Sequence, residues 1–484
     1  MRRDDSIDRS GVRPREVFLF WFAVGIILLL IESVFVYRSR SFSDESRITT
    51  ELIPSLLLLL GCAAFFYFYV VTLLAPRSEG KRIVLWILLV GILLRGGMFF
   101  LSPLRETDFY RYLWDGAVTA HGVNPYSYAP ADVRDDTIPA TDPNASILQG
   151  LARESGGVLA NIKYPTLRTI HPPAAQSLFC AAYWITPFEL TGWRIVLSIF
   201  DGIATTAVGI LLWRLRKSSA YLAVYFWNPL LIYETYYHCH LDLAAAALVI
   251  TFVTFLVLRQ HIIAAPALGL AVGIKLWPIV LFPFLMFSCR RHWLQVILGL
   301  TIFAGLIAVW FLSYQPAVQN PQDSGVFGFT KVGEANPGAY RAIHWVCGKI
   351  RDYFALQIDR DYLGWLTVLF VLLLLSNIFA LRSREDSHDL VVSIGILLIM
   401  MILLSPAVNP WYYIAIIPLA AAAPRWSFLL WTILFPISYL PAEVFRQQDW
   451  IPWLLHVPVW LLVIGGWVWR LKKDYTDKQL QLEI

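Results

Sequence analysis

Long apolar stretches separated by short clusters of charge dominate the chain. They occupy 17 to 37, 52 to 75, 83 to 101, 192 to 213, 219 to 236, 241 to 258, 293 to 313, 363 to 381, 389 to 405, 410 to 424, 427 to 440 and 452 to 469. About 20 apolar residues carry an α-helix across a hydrocarbon core of roughly 30 Å, so the pattern predicts an all-α, polytopic integral membrane protein. Two further regions decide its topology. Residues 174 to 188 are apolar and follow His171-Pro172-Pro173, but as helix they rise only about 22 Å. Residues 262 to 288 are interrupted by Pro266, Lys275, Pro278 and Pro283, which predicts two short, broken helices meeting at Lys275.

Charge selects among the topologies. If 174 to 188 lies in the membrane interface, then Arg214, Arg216, Lys217, Arg259, Arg290, Arg291, Arg382, Arg384, Arg425, Arg470, Lys472, Lys473 and Lys478 share one side. Lys275 and Arg446 then face the other. If 174 to 188 spans, the two sets exchange sides, and the positive-inside rule favours the interfacial helix. The prediction is a single integral membrane domain, 1 to 484, with about 14 membrane segments. Two large outer loops, 102 to 191 and 314 to 362, accompany them. Both termini are cytoplasmic in the plasma (inner) membrane; residues 1 to 16 are arginine-rich without an apolar core, unlike a cleavable signal.

Composition narrows the class. The chain is 58% hydrophobic and 15% charged, against about 45–50% and 25% in soluble domains, which excludes a soluble enzyme. Its 20 Trp and 22 Tyr suit extensive membrane interfaces. A net charge of +5 without a basic patch interleaved with aromatics argues against nucleic acid as a partner. The 5 cysteines include no CxxC pair, so neither a disulfide framework nor a structural zinc site is indicated. There is no GxxxxGK[ST] and no GxGxxG placed to open a helix. Any activated donor is therefore lipid-borne or small and extracytoplasmic.

On this topology the unusual polar residues collect outside. The run Arg105-Glu106-Thr107-Asp108-Phe109-Tyr110-Arg111-Tyr112-Leu113-Trp114-Asp115-Gly116 opens the first outer loop, followed by Asn124-Pro125-Tyr126. A carboxylate at a hydrophobic boundary can accept a proton from a hydroxyl, although ion pairing in a solvated loop would use the same residues. His238-Cys239-His240-Leu241-Asp242 lies between two apolar runs. Asp242 at a helix mouth needs a partner, ligand or cation, and Lys275 suits an anion or a snorkelling position. Asn409-Pro410-Trp411-Tyr412 opens another helix on that side. Within the membrane, Arg95 or Arg194 pairing with Asp201 would form a structural bridge. Acids, bases and an anion site at the outer leaflet suit transfer of a group from a lipid phosphate to a hydroxyl.

These motifs resemble the C-type (GT-C) membrane glycosyltransferases, specifically the bacterial polyprenyl-phosphate-mannose-dependent mannosyltransferases of glycosyltransferase family 87. The resemblance covers about 83 to 425. It is carried by the Asp108 to Gly116 run, Asn124-Pro125-Tyr126, His171-Pro172-Pro173, Asn228-Pro229, His240-Leu241-Asp242, Gly273-Ile274-Lys275 and Asn409-Pro410-Trp411-Tyr412. It implies a GT-C-like fold and transfer of a hexose, mannose in the relatives, from a polyprenyl-phosphate sugar donor to a glycolipid or glycan acceptor among membrane lipids. It assigns Asp108 the part of general base, with Glu106 beside it as a second catalytic carboxylate. Arg111, Asp115, His171, His240, Asp242, Lys275, Asn409 and Trp411 become substrate-binding residues. A divalent cation is an optional cofactor, with Asp108 and Asp242 as its candidate ligands and Glu106 as a further one. Relatives often have adjacent acids where this chain reads Glu106-Thr107-Asp108, and a tyrosine where it has His171. A glycine-rich approach to the His-x-Asp motif is here Tyr236-Tyr237. The competing classes are a transporter or flippase of a lipid-linked sugar, which would tolerate Asp108→Asn, and an oligosaccharide polymerase or ligase.

Overall fold

The computed structural model describes residues 14–40, 52–103, 106–287, 293–319, 339–439, 453–466 and 468. The amino-terminal tail before residue 14, Arg290, Arg291, Arg446, the basic carboxy-terminal end and 320 to 338 of the second outer loop lie outside those residues. Every described element is helical, with no strand among them. The order begins α1 (Pro14–Arg40), α2 (Leu52–Tyr69), α3 (Lys81–Phe99), α4 (Asp108–Ala120), α5 (Pro130–Arg134), α6 (Ala145–Glu154) and α7 (Pro173–Ile185). It continues through α8 (Leu190–Arg214), α9 (Leu222–Phe226), α10 (Pro229–Ile232), α11 (Asp242–Val257), α12 (His261–Ile274), α13 (Phe282–Phe287) and α14 (Trp293–Gln319). Helices Ala339–Tyr353, Arg360–Ser383, Ser387–Leu404, Ile417–Ala422 and Trp426–Leu434 follow.

The protein is a helical membrane protein. Glu16–Ser39, Leu57–Arg77, Lys81–Phe99, Leu190–Arg214, Arg360–Ser383 and Ser387–Leu404 are long and apolar enough to cross a bilayer. Shorter apolar helices occupy Asp242–Val257, His261–Ile274, Trp277–Phe287, Ile297–Val309, Pro410–Ala422, Trp426–Tyr439 and Trp453–Gly466. The apolar run 219 to 236 reads as one span in the sequence but forms α9, α10 and a π-helical turn, Tyr233–Tyr237. The cause is Asn228-Pro229. Proline has no N–H and clashes with the preceding turn, while the Asn228 side chain caps α10 by accepting from Leu231 N at 3.1 Å. Asn228 Nδ2 also donates to Tyr67 Oη at 2.9 Å, and Tyr67 donates to the Val224 carbonyl at 2.7 Å. The freed polar groups of the break are thus met by α2 and by its own backbone.

Lys275 ends α12 in extended backbone, and a 3-10 turn, Trp277–Leu281, leads into α13. The broken pair expected from the prolines is present. Residues 410 to 424, expected as one helix, begin instead as a 3-10 turn, Pro410–Ala415.

The core centres on α11, whose Ala244, Ala245, Ala246 and Ala247 are fully enclosed. Small side chains there let α8 and α12 approach closely. α4 lies against α7 rather than forming an open loop, and α7 packs on α8. At Gly116 a Cβ would stand 2.4 Å from the Phe179 carbonyl oxygen, so the α4–α7 crossing requires glycine. One helical turn away, Tyr112 stacks on Phe179 with ring centroids 4.7 Å apart, and Trp193 of α8 meets the Phe179 ring edge-on.

The intramembrane charges are also resolved. Arg95 Nε donates to Asp201 at 2.5 Å, and Arg95 donates to the Phe226 carbonyl at 2.6 Å. The hydroxyls of Tyr225 and Tyr236 donate to Asp201 at 2.6 and 2.7 Å. Arg194 turns elsewhere, donating to the carbonyls of Tyr236 and Leu101. Arg95–Asp201 therefore joins α3, α8 and the broken segment.

Candidate functional site

Three chain segments meet where α4 begins: the approach to α4, the turn between the π-helical segment and α11, and the break at Lys275. The turn is set by backbone. Cys239 adopts φ +64°, a left-handed conformation uncommon for residues with a side chain. It is held there by Trp193 Nε1 donating to its carbonyl at 2.8 Å and by His240 N donating to the Glu234 carbonyl at 2.9 Å. The result places His238 and His240 on either side of the buried Glu234 carboxylate. Glu234 Oε2 lies 3.3 Å from both His238 Nδ1 and His240 Nε2. His240 in turn stacks on Trp411, with centroids 3.9 Å apart and planes 19° from parallel.

Glu106 faces this pair. One carboxylate oxygen accepts from the backbone N–H groups of Thr107 and Asp108 at 2.8 and 2.9 Å. The other lies 3.5 Å from His240 Nε2. Burial works to raise the Glu106 pKa, but His240, His238 and the backbone donor win and hold it at about 2. Asp108, two residues on, moves the opposite way, because burial and the adjacent Glu106 charge outweigh His240, Lys163 and Lys275. Two neighbouring carboxyls are thereby driven apart in acidity, the arrangement that separates roles in acid–base sites.

The remaining residues singled out in the sequence divide into two groups. Lys275 Nζ donates to both oxygens of Asp242, at 2.7 and 2.8 Å, so each is the partner the other needed. Lys275 also lies 5.5 Å from the Tyr412 ring, which draws the Asn409-Pro410-Trp411-Tyr412 turn to the same place. Arg111 and Asp115 point into the scaffold. Arg111 Nε lies 3.5 Å from Asp115 and another of its nitrogens donates to the Leu167 carbonyl, while Asp115 accepts from Gln176 at 3.3 Å. His171 sits edge-on to Tyr112 and Phe179, and its carbonyl accepts from the Tyr126 hydroxyl at 2.8 Å. Burial, with Lys275 and Arg111 nearby, pushes its pKa down to about 3, so the ring is neutral. Asn409 precedes its 3-10 turn without capping it by its side chain.

The structure thus gathers Glu106, Asp108, His240, Asp242, Lys275 and Trp411, and sets Arg111, Asp115 and His171 behind them as packing. Glu234 was missed in the sequence because it stands inside an apolar run, with no pattern to mark it. Its signal was the rarity of a carboxylate at such depth. Among the described residues, Asp108 and Asp242 do not share a ligand cluster. The groups with metal-ligand spacing are Glu106–His238–His240 and the more exposed Asp386–His388–Asp389.

Residues 171–406 match glycosyltransferase family 87. The match supports a membrane glycosyltransferase of the GT-C type, of family 87. The matched stretch contains His171, Glu234, His238, His240, Asp242 and Lys275, and it ends just before Asn409. Glu106 and Asp108 precede it and join the family 87 region through α4 packing on α7. No curated protein matches the chain.

Proposed function

We propose that this family 87 protein transfers a hexose, mannose, from polyprenyl phosphate to a hydroxyl of an extracytoplasmic glycolipid or glycan. The observation that carries the reading is the state of the acids around α4. Glu106 is occupied by backbone N–H groups, Asp115 by Arg111 and Gln176, and Asp242 by Lys275. Among the described residues the Asp108 side chain makes no hydrogen bond, so it is the carboxylate left to accept a proton. In the reaction the acceptor oxygen bonds to the anomeric carbon, its proton passes to Asp108, and the carbon–oxygen bond to phosphate breaks. The lipid phosphate leaves as the dianion. Direct displacement by a base-activated hydroxyl requires one free carboxylate and no covalent partner on the protein.

The sidedness follows α8. Its Trp193 touches the Cys239 turn, whereas its other end carries Arg214, about 32 Å away along the helix. Arg216 and Lys217 follow, and Lys217 and Arg425 both act on His388, so the basic loop ends gather opposite the site. The positive-inside rule puts them in the cytoplasm and the site outside. Purified protein in lipid nanodiscs, given radiolabelled polyprenyl-phosphate-mannose and membrane lipid extract, is expected to form a labelled lipid or glycan product. Equal turnover of a nucleotide sugar after removal of lipid carriers would sink the donor assignment.

A further inference from the structure

Two buried imidazoles and a carboxylate converge beside Asp108, and the base role alone gives them no task. Glu106 is locked through one oxygen to the start of α4, which aims the second at His240. The His240 ring is fixed by its stack on Trp411. Its Nε2 has carboxylate oxygens of Glu106 and Glu234 at 3.5 and 3.3 Å, yet forms an aligned hydrogen bond with neither. His238 completes the group, with one ligand atom from each of Glu106, His238 and His240 within 4.8 Å of the others. Ligands of one tetrahedral Zn²⁺ stand about 3.4 Å apart.

We propose that Glu106, His238 and His240 bind one divalent transition-metal cation, of which Zn²⁺ is the best match. Two imidazoles and one carboxylate form the donor set of open zinc sites, with the fourth position left for water or substrate oxygen. Imidazole and carboxylate donors without thiolate suit zinc better than calcium or magnesium, which prefer oxygen ligands alone. Cys239 does not join the set: its sulfur faces the carbonyls of Tyr236 and Tyr237. Glu234 takes the supporting part, since metal-bound histidines characteristically offer their second nitrogen to a carboxylate that orients the ring. Its Oε2 lies 3.3 Å from His238 Nδ1. A chelate of this kind pins the approach to α4, which carries Asp108, to the turn that opens α11. On the transferase reading of this site it also adds positive charge beside Asp108, where Lys275 and Arg111 are already neutralised by Asp242 and Asp115.

Metal binding is measured without turnover, so it stands or falls separately from the transferase reading. Protein purified in detergent, stripped with chelator and titrated with Zn²⁺ alone, is expected to bind one equivalent by competition with a fluorescent zinc chelator. Glu106→Gln and His238→Gln should each lose that equivalent, and Glu234→Gln should weaken it about 10–100-fold. Asp389→Asn, in the other cluster, should leave it intact. Gel-filtration profile and near-ultraviolet circular dichroism establish that each variant is folded, and Glu106→Gln, which keeps the side-chain oxygen that accepts from the Thr107 and Asp108 N–H groups, is the variant expected to fold in any case. Absence of a stoichiometric site in the wild type, or a site that survives Glu106→Gln and His238→Gln but disappears with Asp389→Asn, would overturn the proposal.

Discussion

At the residue scale the site works by distributing obligations among like groups. Glu106, Asp108, Asp115, Glu234 and Asp242 lie at or beside the site, and partners engage all of them but Asp108. Asp108→Asn keeps the volume and removes the basicity, so transfer is expected to fall by about 10²–10⁴-fold. Donor binding and the melting temperature should hardly change. Activity assays paired with binding of labelled donor check this, and near-normal transfer would move the base elsewhere. Asp242→Asn has a different expected signature. It leaves the Lys275 ammonium, now 2.7 Å from a carboxylate oxygen, without its counter-charge, so donor affinity and stability should change more than the chemical step. The sequence exposed Asp108, Asp242 and Lys275 as polar residues at the edges of apolar runs. It did not show that the last two pair, because 33 positions separate them. Nor did it show that Arg111 and Asp115 serve one another, although their i, i+4 spacing on a helix would have allowed that reading.

At the element scale, position comes from breaks in helices as much as from helices. Proline and asparagine at 228–229, the left-handed Cys239 and the extended Lys275 each end an element where a functional side chain is needed. The prolines around Lys275 announced that break in advance, since proline disrupts a helix wherever it falls. The run 219 to 236 concealed its break, because its hydropathy is continuous and only Asn228-Pro229 interrupts it. Two substitutions probe how the elements are joined. Gly116→Ala places a methyl 2.4 Å from the Phe179 carbonyl oxygen, and overpacking of this kind costs about 1–3 kcal/mol. The α4–α7 crossing must then open, so a lower melting temperature and reduced transfer are expected together. Asp201→Ala strips the counter-charge from buried Arg95 and removes the acceptor of Tyr225 and Tyr236. Breaking a buried pair in this way costs about 3–5 kcal/mol, and thermal unfolding in detergent measures it. A melting temperature unchanged by Asp201→Ala would show that the pair is dispensable.

At the scale of the whole molecule, the question is which face of the membrane holds the site, and the architecture makes a testable commitment. α8 carries the argument because it is a continuous helix whose two ends have different chemistry. One end, at Trp193, supports the turn that presents His238 and His240, and the other delivers Arg214 to a neighbourhood shared with Lys217 and Arg425. A helix of this length crosses the hydrocarbon core once, so the site and the basic cluster lie on opposite sides whichever way the protein is inserted. Arginine and lysine in short loops set the insertion, so the proposed orientation has Arg216 inside. The short α7, Pro173–Ile185, rises only about 20 Å and packs along α4, so it need not cross to bury its apolar face. In a background lacking the native cysteines, a single cysteine at 163, on the exposed surface near Asp108, should react with an impermeant maleimide added to intact cells. A cysteine at 216 should react only after the membrane is opened. Reaction at 216 from outside, with protection at 163, would invert the protein and place the acids, the imidazoles and the lysine in the cytoplasm. An extracytoplasmic acceptor could not then be the substrate.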